Sequence, residues 1–391
     1  IMSFLMYNDI SAMSRLHRSA SAQMSRPAIS IQKSGGWTFG SPSVLMMFYR
    51  ASGELQSELT EMDECMPHYY KITNGHGQGA ETIMRAEADF MRACFADAQI
   101  MLERAYAQID GNGQENMALC CDFLAWRLSL CTSFTPRESF EQRREALLGL
   151  HNVTWLNILQ SSCAYYYALL GLPEKIPAVF REHQLASIHF LAPGKPMMEL
   201  IENQVYLAQG EYAKVIGHSE ALLGMCEAMH YALVALHIRL QTAAAYEMLG
   251  KRETADELLI SALAAAEPDA LYLPFVENYR YLKTALTRGA GAKFAAFVRT
   301  VTPLGEDFVR RCGEKRAEGS RPAALAGLTE RESAIAALVA KRLSNREIAE
   351  QLFLSEGSVK QYINQIYSKL LITGDVRTKR KRLAELAAPK S

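Results

Sequence analysis

The sequence predicts an all-α protein in which a helical-repeat body is followed by a small C-terminal domain of short helices. Three observations predict it. Residues before about Thr300 are rich in Ala, Leu, Met, Glu and Tyr and have almost no alternating β-branched runs, the composition of helices throughout. Turn-forming residues recur through that body about every 40 residues, the mark of stacked supersecondary units. Near the C-terminus, two Ser/Thr-x-x-Glu boxes open apolar-periodic segments, each box being able to satisfy the free amides at a helix start. With 391 residues and 49% apolar content, the chain can bury a large core and is too long for one small domain.

Residues 1–80 fit the repeat poorly, because Gly/Pro-containing interruptions lie at Ser34 to Pro42 and at Asn74 to Gly79; an irregular helical start or cap is expected there. Residues 81–311 carry the repeat. Ala243-x-x-Tyr246-x-x-Leu249-Gly250 leads through Ala255 and Ala262-Leu263 to Pro268, close to the helix-turn-helix pattern of a tetratricopeptide repeat. One step back lies Tyr206-Leu207-Ala208-Gln209-Gly210, followed by Tyr212 and Val215. A further step reaches Tyr167-Ala168-Leu169-Leu170-Gly171, and two more arrive near Thr132 and at Ala93-Cys94-Phe95. Small residues suit these turns because paired helices cross closely there. Each hairpin leaves an apolar face for its neighbour, so stacking is expected to give a tetratricopeptide-like, right-handed solenoid whose concave surface suits peptides or small ligands.

Residues 312–327, from Cys312 through Gly313-Glu314-Lys315-Arg316 to Gly319-Ser320-Arg321-Pro322, are polar, charged and punctuated, and read as a linker. Residues 328–391 form the last domain. Thr329 and Glu332 make the first capping box, and Ser344 and Glu347 the second, with Ile348, Ala349 and Leu352 on one face of the helix that follows. A turn at Phe353-Leu354 leads to Ser355, the N-cap of a third helix running to about Leu370. On that helix Val359, Ile363, Ile366 and Leu370 point one way, while Gly357, Lys360, Gln361, Asn364 and Ser368 point the other. Gln and Asn amides can pair with adenine, Lys with guanine or a phosphate, and Gly357 allows close approach, so this face suits a DNA major groove. The alternative is an ordinary solvated face.

Charge divides in the same way. The whole chain is neutral, but from Leu328 onward there are 12 Lys/Arg against 7 Asp/Glu, leaving 30 against 35 in the rest. The basic end is the one expected to release counterions from DNA, with Arg377, Lys379, Arg380, Lys381 and Arg382 as a dense patch or simply a solvated basic helix.

The run Leu328-Thr329-x-Arg331-Glu332, Leu343-Ser344-Asn345-x-Glu347-Ile348-Ala349, Leu354-Ser355, Ser358-Val359-Lys360 and Ile366-Tyr367-x-Lys369-Leu370 resembles the LuxR-type helix-turn-helix family. The resemblance implies binding of double-stranded DNA, with Lys360, Gln361 and Asn364 facing the bases. It also implies that Ser344, Asn345, Ser358 and Lys369 lie at the sugar-phosphate backbone, to which the basic patch would add Arg380 and Lys381. Three positions depart from the family pattern: Arg342 and Leu371 stand where glycine is usual, and Tyr362 where many members have histidine.

Other function classes find little support. No stretch approaches the roughly 18 uninterrupted apolar residues of a membrane span and the start lacks a targeting pattern, so a cytoplasmic protein is expected. The eight cysteines include no C-x-x-C pair and the nine histidines are scattered, so neither disulfides nor a metal site are expected. Gly289-Ala290-Gly291-Ala292-Lys293 lacks phosphate-loop spacing, no hydrolase order of Ser, His and Asp is present, and neither a cofactor nor enzymatic activity is expected. Aromatic clusters at Trp37-Thr38-Phe39, Phe48-Tyr49, Tyr69-Tyr70, Trp126, Trp155 and Tyr165-Tyr166-Tyr167 read first as interhelical core and second as ligand contacts. The whole chain resembles the C-terminal part of MalT-like regulators, in which an ATPase module precedes a helical-repeat sensor and a LuxR-type domain. A chain opening on Ile1 without a phosphate loop fits either a fragment lacking that module or a protein that never had one.

Two functions are consistent with this reading. One is a transcription regulator whose repeats sense a small-molecule inducer or regulatory protein and which acts on DNA as a homodimer. The other is a protein-interaction adaptor whose last domain mainly makes protein contacts.

Overall fold

The computed structural model describes residues 10–27, 41–111, 113–188, 190, 192–289, 293–319 and 327–387. Every regular element among them is helical, as the composition predicts. The chain divides into two compact units, Ile1–Cys312 and Gly313–Ser391.

The first unit opens with α1 (Ile10–Gln23), the short α2 (Val44–Phe48) and α3 (Leu55–Thr73). α1 packs on α3, and α2 is buried along its whole length against later helices. The turn expected at Asn74 to Gly79 is present, whereas most of the interruption at Ser34 to Pro42, with the Trp37-Thr38-Phe39 cluster, lies outside the described residues. Then come α4 (Ala80–Met91), α5 (Phe95–Ile109), α6 (Glu115–Cys131), α7 (Phe140–Gly149), α8 (Val153–Leu170) and the single turn α9 (Ala178–Arg181). They are followed by α10 (Lys195–Gln209), α11 (Tyr212–Ala228), α12 (Ala232–Met248), α13 (Arg252–Ala266), α14 (Leu273–Glu277), α15 (Tyr279–Gly289) and α16 (Ala295–Gly319).

Hairpins α4/α5, α10/α11 and α12/α13 each pack internally, and the first helices of successive units stack on one another, α6 on α8, α8 on α10 and α10 on α12. The turn signals mark these helix ends. Gly171, Gly210 and Gly250 all adopt left-handed backbone, with φ of 71°, 78° and 75°. A β-carbon is penalised in that conformation and glycine is not, so the same residue recurs at the same place in each unit. Farther back the register holds without glycine: α6 stops at its C-cap Thr132, and Ala93 takes φ 59° after α4.

The aromatic clusters within the described residues pack as core. Tyr49, Tyr69, Trp126, Trp155 and Tyr165 are all almost fully buried. The eight cysteines are free, most of them buried, with Cys94 exposed.

The two units meet at Cys312 and Gly313, but the chain that follows is not an extended tether at first. The linker predicted to begin at Cys312 is instead helical as far as Gly319, because α16 continues through Glu314, Lys315 and Arg316. Those residues form helices well, and a solvated helix has the same polar composition as a tether.

Candidate nucleic-acid interface

The second unit holds α17 (Glu330–Ala340), α18 (Asn345–Leu352), α19 (Glu356–Lys369) and α20 (Val376–Ala387). Helices this short are marginal alone, so their ends matter. Thr329, Ser344 and Ser355 are the N-caps of the first three, each side chain accepting from the third residue of its helix; the first two are complete capping boxes. The Glu347 carboxylate accepts from the Ser344 amide at 2.6 Å and from its hydroxyl at 2.7 Å, and these two bonds hold its pKa below the usual carboxylate value. Ile335, Val339, Ile348, Val359, Ile363, Ile366 and Leu383 close one small core, each buried aliphatic side chain contributing about 1.5–3 kcal/mol.

The turn between α18 and α19 is made by Phe353 in left-handed conformation, its φ 53° and its side chain 94% exposed. The Leu354 amide donates back to the Ala349 carbonyl at 2.9 Å, which closes the turn and sets the start of α19. Both positions where glycine would be usual keep the left-handed backbone: Arg342 has φ 64° and Leu371 φ 53°. Their helices end on the expected bonds, Leu343 amide to Leu338 carbonyl at 3.2 Å and Ile372 amide to Tyr367 carbonyl at 2.9 Å.

α19 buries Val359, Ile363 and Ile366, so Lys360, Gln361 and Asn364 are left on its solvent face. With Gly357, Gln365 and Ser368 they line one shallow, open surface. Among the described residues, the side chains of Lys360, Gln361, Asn364 and Gln365 have no hydrogen-bonding or ionic partner within the protein. Gln365 was not singled out from the sequence, although its place one turn after Gln361 could have marked it.

The other candidate contacts are less free. Ser344 is exposed but serves its capping box, and the Ser358 hydroxyl, half-buried, bonds that of Ser355 at 2.8 Å. Lys369 donates to the Glu332 carboxylate at 2.7 Å, and Glu332 also accepts from the Thr329 amide at 2.8 Å. Burial alone would push the Glu332 carboxyl up; the bonds from Lys369 and Thr329 outweigh it and hold the pKa below the usual value. Arg380 turns inward, donating to Asn345 Oδ1 at 2.7 Å and to the Leu343 carbonyl at 2.6 Å. It ties α20 to the start of α18. Lys381 is 80% exposed, with Glu385 3.9 Å away, and Arg377 and Arg382 are exposed beside it.

Chemically this is a polar, cation-bearing helix face whose amides can donate and accept side by side, flanked by exposed cations. Residues 326–380 match the family of bacterial regulatory proteins of luxR type. The transcriptional regulatory protein LnrK of Bacillus subtilis (strain 168) is 41% identical over 63 residues, covering 15% of this chain and 29% of that protein. The DNA-binding transcriptional activator DevR/DosR of Mycobacterium tuberculosis (strain ATCC 25618 / H37Rv) is 39% identical over 46 residues, 12% of this chain and 21% of that protein. The chain thus spans less than a third of either relative, and the similarity is confined to its C-terminal domain. No solved structure matches the chain significantly.

Proposed function

Since the C-terminal domain is a LuxR-type helix-turn-helix domain, we propose that the protein is a sequence-specific DNA-binding transcription regulator whose helical repeats sense a small-molecule inducer or a protein partner. The observation that carries the reading is the solvent face of α19, where Lys360, Gln361 and Asn364 have no partners among the described residues and stand opposite a buried apolar face. These three read the bases. The N-terminus of α18 at Ser344 and Asn345, the start of α19 at Ser358, and the cations Lys369, Arg380 and Lys381 meet the phosphates. Lys369 and Arg380 do so while retaining their internal bonds, which fix where each cation lies.

A single domain of this size makes few DNA contacts, so a homodimer presenting two α19 helices about one helical turn apart would bind far more tightly. Control of that dimer by the repeats would make DNA affinity depend on what they bind. Among the described residues no helix is long and apolar enough to cross a membrane, and we place the regulator in the cytoplasm.

The test is DNA affinity of the full chain on a site selected from random sequence. Gln361→Ala or Asn364→Ala should cost about 1–3 kcal/mol on that site and much less on unrelated DNA. Lys381→Ala should weaken both alike and reduce the dependence on salt by about one counterion. Equal losses on selected and unrelated DNA for Gln361→Ala and Asn364→Ala would remove α19 from base reading.

A further inference from the structure

One cleft in the repeat unit carries chemistry that the packing leaves unused. It opens between α10, α11 and the chain around Leu185 and Ile188, with a volume of about 770 Å³. Its walls are largely apolar, with Leu185, Ile188, Phe190, Met198, Leu222 and Met225. Into this apolar setting α10 projects Glu202, only 6% exposed.

Among the described residues no group donates a hydrogen bond to the Glu202 carboxylate. The nearest cationic candidate is Nδ1 of His183 at 3.7 Å, beyond hydrogen-bond range. His183 is also a poor counter-ion. Its ring stacks on Tyr206 with centroids 4.1 Å apart and planes 21° apart, and burial, then Lys214, lower its pKa below the ordinary histidine value, which disfavours the charged form. Lys214 is paired with Glu211 and lies 5.2 Å over the Tyr206 ring; its charge reaches Glu202 and favours the carboxylate, but it donates no hydrogen bond there and burial outweighs it. Lys195 lines the same cleft but stands two turns from Glu202, about 10 Å along the helix axis. Glu199, one turn from Glu202, also lines it and adds a second carboxylate.

A carboxylate that is mostly buried among apolar walls and solvated only through an open cleft is costly to keep charged unless a cation or donor binds it. A donor for Glu202 would sit at the edge of an apolar cavity of ligand size. We propose that this cleft binds a small organic amine, its protonated amino group on Glu202 and Glu199 and its aliphatic or aromatic body against the apolar wall. This rests on the sensing role given above to the repeats and deepens it by naming the class of effector. An organic acid of the same shape meets two carboxylates and is rejected.

Titration calorimetry of the full chain near pH 8 with phenethylamine, and with 3-phenylpropionate as its anionic counterpart, tests the site. Phenethylamine should bind saturably and phenylpropionate should not. Glu202→Gln should weaken the amine at least about tenfold with helix content unchanged. Met225→Trp, which fills the cleft and spares the carboxylate, should abolish binding. Equal binding of the acid, unchanged binding in Glu202→Gln, or no saturable binding of phenethylamine overturns the proposal. DNA affinity measured on the same samples separates the two readings. An amine that binds without changing DNA affinity leaves the site standing and removes its sensing role; a chain that ignores amines yet loses or gains DNA affinity with another effector does the reverse.

Discussion

In the repeat unit α3, α5, α6, α11, α12 and α13 begin on Glu54, Cys94, Gln114, Glu211, Tyr231 and Lys251, and none of these side chains caps its helix. In the C-terminal unit Thr329, Ser344 and Ser355 all cap, and Asp375, just before α20, accepts from the Thr378 amide at 2.7 Å. Length contributes to the contrast, although within the repeat unit Ser139 and Asn152 do cap α7 and α8. These six uncapped helices run 15 to 19 residues and are flanked by neighbours that bury them, whereas the helices of the C-terminal unit run 8 to 14 residues around a much smaller core. A long helix packed on both sides gets its stability from tertiary burial, and a short one needs its ends satisfied locally. The first unit should therefore respond most to changes in its interior, and the second to changes at its helix ends.

The largest effect should come from the ion pair inside the repeat unit. Arg127 on α6 donates to Glu277 on α14 at 2.8 Å, both side chains 1% exposed, and the Tyr165 hydroxyl donates to the same carboxylate at 2.8 Å. Glu277→Ala would leave the guanidinium charged and unpaired among the rings of Phe90, Phe123 and Tyr165. A cost of about 3–5 kcal/mol is expected. The three tryptophans, Trp37, Trp126 and Trp155, all precede Gly313, so tryptophan fluorescence reports the repeat unit alone. Its urea midpoint should fall sharply while the helical signal of the C-terminal unit persists. A midpoint within error of the unaltered chain would show that solvent reaches the pair.

That pair also marks where sequence reading stops. Capping boxes, glycine turns and the apolar face of α19 are local patterns, spanning a few residues or one helical period, and were legible. Arg127 and Glu277 are 150 residues apart, and nothing near either announces the other. The same holds for Arg380, which the sequence offers as a phosphate contact within a basic run, while the fold brings Leu343 and Asn345 to it across 37 and 35 residues. Glu202 is equally silent: in sequence it is one more acidic residue on a helix. That no described residue donates to it is visible only once α11 and the chain around His183 are in place.

Acidity should separate the units more gently. Burial pushes the carboxyls of Glu58, Glu87 and Glu202 up to about 7. Their folded pKa values lie above the ordinary 4.5, so the stability they contribute is complete below pH 4.5 and is lost as pH rises through about 7. Burial moves His17 and His237 the other way, to about 4 and about 3, so their contribution is complete above pH 6.5 and is lost on acidification. Between 4.5 and 6.5 the two sets oppose each other. In the C-terminal unit Glu332, Glu347 and Asp375 are all held below their ordinary values, and their contribution is lost only as pH falls below the ordinary carboxylate range. From about pH 6.5 to pH 8 the tryptophan-detected midpoint should thus decline while that of the C-terminal unit stays level. Glu87→Gln should flatten the decline; a slope unaltered by that change would locate the titration elsewhere.

The smallest effect sharpens the comparison from the side of helix ends. Leu371 follows α19 at φ 53° with its side chain 84% exposed, so it endures left-handed strain and contributes almost no burial in return. That strain is worth about 1–2 kcal/mol, and a glycine there would relieve it. Glycine also gives the unfolded chain more freedom, which takes back about 0.4–1 kcal/mol. Leu371→Gly should accordingly stabilise the C-terminal unit by about 0.5–1 kcal/mol, keeping the Ile372 amide on the Tyr367 carbonyl and leaving tryptophan-detected unfolding unchanged. The converse exchange in the repeat unit, Gly250→Ala at φ 75°, should destabilise by a similar amount, seen this time in the tryptophan signal. Both shifts can be read from urea midpoints followed by far-ultraviolet circular dichroism and by fluorescence. If Leu371→Gly instead lowers the midpoint, the leucine is making a contact that its exposure in the isolated chain does not reveal, and the end of α19 would then become the place to look for a partner surface.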